Sequence, residues 1–233
     1  MKAIRFLEQY FYFGMALLIA AIVIYGFSHT VEKNLIHAVP RRPLLLYVHA
    51  VVFSAWLAFF ICQSLLIRAR NVRLHRTMGW FGCALGSAVC VIGIWVAIVM
   101  SRFRIAHFAG KGAVQNLGLS FYDIAAFTVA FALAIMWRKK PEYHRRLMLL
   151  ATIALTSAAF GRFPPWILPA HWFFIGVDLL VVLGALRDFL VGRRVHRVYL
   201  IGLPVFVLCQ TAVMYILVTN SSDWANIAHA ILR

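Results

Sequence analysis

The sequence predicts an all-α membrane protein: a polytopic helix bundle of seven transmembrane helices, forming a single domain over residues 1–233. Three observations carry this. Of the 233 residues, 64% are hydrophobic and only 13% are charged, against about 45–50% and about 25% in soluble domains. The apolar residues gather in runs close to the roughly 17–25 that a helix needs to cross a bilayer. Short basic loops separate the runs, and none shows the strict alternation of a membrane β-barrel.

The runs are Phe11–Ser28, Leu44–Ile67, Trp80–Ser101, Leu117–Trp137, Leu147–Phe163, Trp166–Leu186 and Val198–Thr219. In the first, Lys2 and Arg5 precede the apolar stretch, but no small-residue cleavage site follows it, so it reads as a retained helix. The fifth is the shortest and ends at Pro164-Pro165, which forbids simple continuation. The fifth and sixth runs therefore read as a tight hairpin. Tyr10, Phe11, Tyr12, Trp80, Trp137 and Tyr199 fall near one set of helix ends, as an interfacial aromatic belt does. The tail Asp223–Leu232 has the pattern of a short amphipathic surface helix. Cys62, Cys83, Cys90 and Cys209 lie within apolar runs, without the spacing of a metal site, and read as small core side chains.

Charge sets the expected orientation. The net charge is +16, from 23 Lys and Arg against 7 Asp and Glu. With seven helices, fifteen basic residues share a side with the N-terminus, in the stretches around Lys2, Arg68–Arg76, Arg138–Arg146 and Arg187–Arg197; eight lie opposite. The basic side is cytoplasmic by the positive-inside rule, so the N-terminus is expected inside and the C-terminus outside. Basic residues placed this way meet lipid headgroups; the partner they imply is membrane lipid, and no nucleic acid. Three of the basic turns look alike: Arg73-Leu74-His75-Arg76, Tyr143-His144-Arg145-Arg146 and Arg194-Val195-His196-Arg197. They suggest three parallel hairpin repeats with the first helix added.

Tyr47-Val48-His49-Ala50-Val51-Val52-Phe53-Ser54-Ala55-Trp56, Leu74-His75-Arg76-Thr77-Met78-Gly79-Trp80 and Pro141-Glu142-Tyr143-His144-Arg145-Arg146-Leu147-Met148-Leu149-Leu150 resemble a widespread bacterial family of seven-helix membrane proteins. The resemblance runs from about the second helix to the seventh. It implies a location in the bacterial inner membrane; it brings no activity and no site residues.

Ionisable side chains inside a membrane are costly and mark candidate sites. Counted from the basic helix ends at about 1.5 Å per residue, His49 lies about 28 Å along the axis, Asp123 about 22 Å, and Arg162 and His171 about 24 Å. These four form one outer layer, and Asp178 lies lower, at about 13 Å. His171 and Asp178 are seven residues apart, as are His49, Trp56 and Gln63, so each set is expected on one helix face. Buried pairing of Arg162 with Asp123 or Asp178 explains the same residues without a function.

Two histidine pairs at opposite ends of a bundle, His49 with His171 and His75 with His144, suit the axial ligation of heme b. Phe53, Trp56, Trp172 and Phe173 would wall the outer group; Arg162 outside, and Arg73, Arg76 and Arg145 inside, would hold propionates. In this the chain loosely resembles a cytochrome b561-type electron carrier, with a quinone or a redox protein as partner. It departs from that pattern because His75 and His144 lie at the membrane surface beside arginines. A divalent metal on His49, Asp123, His171 and Asp178 is the other expectation, although no HExxH spacing accompanies it. A retinal protein is disfavoured, since the seventh run contains no lysine. A proton- or ion-coupled transporter centred on Asp178, or a non-catalytic accessory subunit, completes the alternatives.

Overall fold

The computed structural model describes residues 2–108, 112–169, 171–219 and 221–233, with side chains from Phe6 onward. The side chains of Lys2 and Arg5, and the whole of Lys111, lie outside the described residues. The elements are α1 (Lys2–Ser28), a π-helical turn (Glu32–Ile36), α2 (Leu44–Arg68), α3 (Val72–His107), α4 (Ala113–Met136), α5 (Pro141–Ala154), α6 (Ser157–Phe160), α7 (Phe173–Gly192), α8 (Arg197–Thr219) and α9 (Ser222–Leu232). No strand occurs among the described residues. Five helices, α1, α2, α3, α4 and α8, are long and apolar enough to cross a membrane. The protein is a membrane-embedded helical bundle.

The expected fifth and sixth helices differ from the structure. The run Leu147–Phe163 is not one helix: α5 ends at Ala154 and a separate turn, α6, follows. The Thr152 and Thr156 hydroxyls donate to the carbonyls of Met148 and Ile153 at 3.0 and 2.7 Å. Such bonds give the backbone an alternative to the helical ladder. The next helix begins at Phe173, seven residues later than Trp166, because Pro164, Pro165 and Pro169 withhold backbone N–H groups. It then continues past Leu186 to Gly192, carrying Asp178, Arg187 and Asp188. The third helix is also longer than expected. Its 36 residues span about 54 Å, well beyond a bilayer core of about 30 Å.

The short α5 lies at the centre, packed on α1, α4, α7 and α8. Arg146, Leu147 and every residue from Leu149 to Ala154 are buried. A helix surrounded by protein needs no lipid-facing apolar shell, so it can be brief and can carry polar groups. Helices α1, α2, α3 and α4 pack each on the next, and α5 and α6 return to α1, which closes a ring. Helices α7 and α8 flank α5 on the other side, and α9 caps α3 and α4. The expected amphipathic tail is α9, tied down by the Trp224 indole donating to the Val114 carbonyl at 3.0 Å.

Small residues set the close approaches, as in membrane bundles generally. A Cβ on Gly176 would lie 2.6 Å from the Phe160 ring, and one on Gly184 2.6 Å from the Tyr199 ring. The least forgiving site is Gly26 on α1, where a Cβ would overlap backbone, the carbonyl of Ala159 on α6, and not a side chain. Backbone cannot rotate aside as a side chain can. Gly26→Ala is expected to destabilise by roughly 1–3 kcal/mol, the usual range for overpacking. Gly14→Ala, which meets nothing within 4 Å, is the control and should leave the melting temperature in detergent unchanged or slightly raised.

Candidate functional site

The α1–α6 ring encloses two polar regions separated by an aromatic septum. One face of α2 shows this directly. His49, Trp56 and Gln63 succeed one another at intervals of about 10 Å along the axis. His49 lines a cavity at the end of the ring remote from the basic turns. Trp56 is buried and meets the Phe127 and Phe131 rings edge-on at 5.1 and 5.6 Å. Gln63 has both side-chain polar atoms buried without a partner.

The cavity measures about 1270 Å³ and is lined by His49, Asp123, Arg162 and His171, together with Arg42 and Arg104. His49 stacks obliquely on Phe53 at 3.9 Å, and its Nδ1 is buried without a partner. The Ser157 hydroxyl donates to one Asp123 carboxylate oxygen; the other is buried and unpartnered. Arg162 donates to the Ala158 carbonyl, and its guanidinium lies 4.3 Å over the Phe27 ring. Arg42 lies 5.1 Å over both Phe103 and Phe108 and reaches Asn34 at 3.5 Å. Arg104 makes no side-chain hydrogen bond or ion pair among the described residues. No carboxylate lies within 4 Å of these three guanidiniums among the described residues, so the buried pairing of Arg162 with Asp123 or Asp178 is not formed.

His171 is exposed, in the turn that precedes α7, with φ of 73°. It shares no helix face with Asp178, because the helix starts after it. Asp178 does not line this cavity; it lies on α7, near Gln210 on α8 and Tyr122 on α4. His49, Asp123, His171 and Asp178 therefore do not gather as a ligand set. Among the described residues no group of three or more His, Cys, Asp or Glu side chains stands ready for a metal ion.

At the basic end the ring brings His75, in the first turn of α3, to His144, in the first turn of α5. Their ring centroids are 6.4 Å apart and their planes 77° from parallel. His144 Nδ1 is held by the Ala134 carbonyl at 2.9 Å, which leaves Nε2 free. His75 Nδ1 is buried without a partner, and so is Arg145 Nε. Arg68 bonds the Tyr10 hydroxyl and covers its ring at 4.0 Å. Arg73 and Arg76 are exposed on α3.

Beside this pair, outside the ring, lies a buried ion network. Arg146 Nε and Nη2 donate to the two Asp188 oxygens, both at 2.7 Å, while Arg146 Nη1 meets Glu142 at 2.6 Å and Arg187 meets Asp188 at 3.1 Å. Tyr12, expected at the lipid interface, instead faces the guanidiniums of Arg145 and Arg187 at 5.3 and 5.5 Å.

His196, in the turn before α8, packs edge-on against Tyr143 at 4.6 Å. Burial, and then the nearby Arg146, hold its imidazole below its ordinary value. A histidine lowered in the folded state adds stability above its unfolded value of about 6.5 and loses it as pH falls. The melting temperature should drop as pH passes below that value, and His196→Gln should remove this part of the acid sensitivity.

Sequence reasoning missed Arg42, Arg104 and Asp188. Arg104 reads as a loop charge when the third run stops at Ser101, and Asp188 lies beyond a sixth run that stops at Leu186. Extending the helices until a cap or a proline intervened would have found both. Compared with protein-family models, with curated proteins and with solved structures, the chain matches none of them.

Proposed function

We propose that the protein is a heme b-binding electron carrier of the bacterial inner membrane, with the iron held between His75 and His144. In this reading the chain crosses seven times, with the N-terminus cytoplasmic. Helix α5–α6 is the buried fifth crossing and α7 the sixth. The hairpins α2–α3, α4–α5 and α7–α8 are the repeated unit.

The observation that carries the proposal is the disposition of the two imidazoles. Their ring centroids lie 6.4 Å apart, close enough that the two imidazoles together would hold one heme iron. The hydrogen bond from His144 Nδ1 to a backbone carbonyl fixes the tautomer and orients the ring, the usual outer-shell partner of a ligating histidine. The free Arg145 Nε, with the arginines at 68 and 76, supplies donors for two propionates. When bound, heme supplies one-electron chemistry, exchanged with a quinone or a redox protein. The chain's own part is to hold the ligand rings, neutralise the carboxylates and separate the two polar regions with the Trp56 septum.

The optical spectrum of detergent-purified protein from heme-producing cells tests this. A Soret band should appear, with sharp visible bands on reduction, and should be lost in His75→Ala and in His144→Ala but kept in His49→Ala. A folded wild-type protein without heme absorbance defeats the proposal.

A further inference from the structure

The cavity at the other end of the ring has a chemistry of its own. Arg42, Arg104 and Arg162 come from the segment before α2, the last turns of α3 and the stretch after α6, yet line one space. Two acidic side chains line it with them. Asp123 is turned to the Ser157 hydroxyl, and Glu32, with its side chain 82% exposed, lies 3.9 Å from His37. The guanidiniums of Arg42 and Arg162 meet aromatic rings and neutral carbonyl oxygens, and that of Arg104 meets neither. Gathered cations without counter-charges favour an anion, and guanidiniums bind phosphate or carboxylate through paired donors.

The rest of the lining is different. Beyond the arginines the wall is largely apolar, with Phe53, Val96, Ile124, Leu119 and Phe160 among its residues. A small hydrophilic anion would leave this surface wet and unmatched. The space of about 1270 Å³ exceeds the roughly 300–1,000 Å³ of a drug-sized ligand site, so it has room for more than a headgroup.

We propose that this cavity binds an anionic lipid, its phosphate held by Arg42, Arg104 and Arg162 and its acyl chain lying along the apolar wall toward Phe53 and Ile124. The inference is independent of heme at His75 and His144, which lie at the opposite end. His49 and Asp123 line the same space.

The experiment uses the full-length protein in detergent, with lipids added at matched concentration. Dioleoyl phosphatidylglycerol should raise the melting temperature and remain as one bound copy in native mass spectra. Dioleoyl phosphatidylcholine and free glycerol phosphate should do neither. The double variant Arg104→Gln/Arg162→Gln should weaken the lipid effect at least tenfold, while Arg233→Gln, on a surface residue outside the lining, should leave it unchanged. Should the double variant fail to fold, Arg104→Gln alone serves, since Arg104 has no partner to strand. Equal stabilisation by phosphatidylcholine would show that the arginines select nothing. An equal effect of glycerol phosphate would show that the site takes a soluble anion, and an unchanged effect in the variants would place the lipid elsewhere. A heme band lost in His49→Ala would assign the cavity to heme. Each of these overturns the proposal.

Discussion

Asp188→Ala should leave little folded protein. Asp188 is 2% exposed and receives both donors of the Arg146 fork and one from Arg187. Arg146 and Arg187 are themselves buried, at 5% and 4%. Removing the carboxylate strands two guanidiniums where neither water nor another carboxylate fully replaces it; of these two, Glu142 reaches only Arg146. Breaking one partner of a buried pair typically costs about 3–5 kcal/mol, a large share of the 5–15 kcal/mol that holds a typical domain. The expected readout is loss of the monodisperse peak in size-exclusion chromatography. By contrast, Arg145→Ala removes a pair with Glu142, a carboxylate 56% exposed, and should cost no more than about 1 kcal/mol. If Asp188→Ala melts like Arg145→Ala, the network does not hold α5 to α7.

Much of the bundle was legible because a bilayer demands long apolar runs, and α1, α2, α4 and α8 follow them closely. The face of α2 was legible too, since His49, Trp56 and Gln63 keep a seven-residue spacing that a helix cannot rotate away. The α5–α7 region was not. There, threonine hydroxyls and three prolines interrupt the backbone, and burial inside protein relaxes the length rule that a lipid-facing helix obeys. The ends of α3 and α7 escaped because hydropathy falls before the helix stops, which hid Arg104 and Asp188. The meeting of His75 with His144 depends on how α3 and α5 pack around a ring. Spacing along the chain carries no signal for that, even though both residues stood out as histidines beside arginines.

Trp56→Ala should be the other severe substitution. Trp56 is 2% exposed and sits edge-on to two rings, Phe127 and Phe131, which are themselves stacked at 5.5 Å. On the facing helix a Cβ at Gly86 would collide with the Phe131 ring, so α3 already lies as close to that ring as it can. The septum therefore has little freedom to collapse into the space an indole leaves. Truncations of this size cost about 3–5 kcal/mol, with the upper end reached where neighbours cannot relax. Trp56→Phe separates packing from polarity. The indole Nε1 is buried without a partner, so phenylalanine forfeits no hydrogen bond and keeps one aromatic edge. It leaves a smaller void than alanine does, so its cost should be lower than that of the alanine truncation. Thermal melts of the two variants in one detergent decide the matter: Trp56→Ala should fall much further than Trp56→Phe. Equal losses would mean that the indole N–H has a partner worth as much as the ring, and that the septum is polar at its centre.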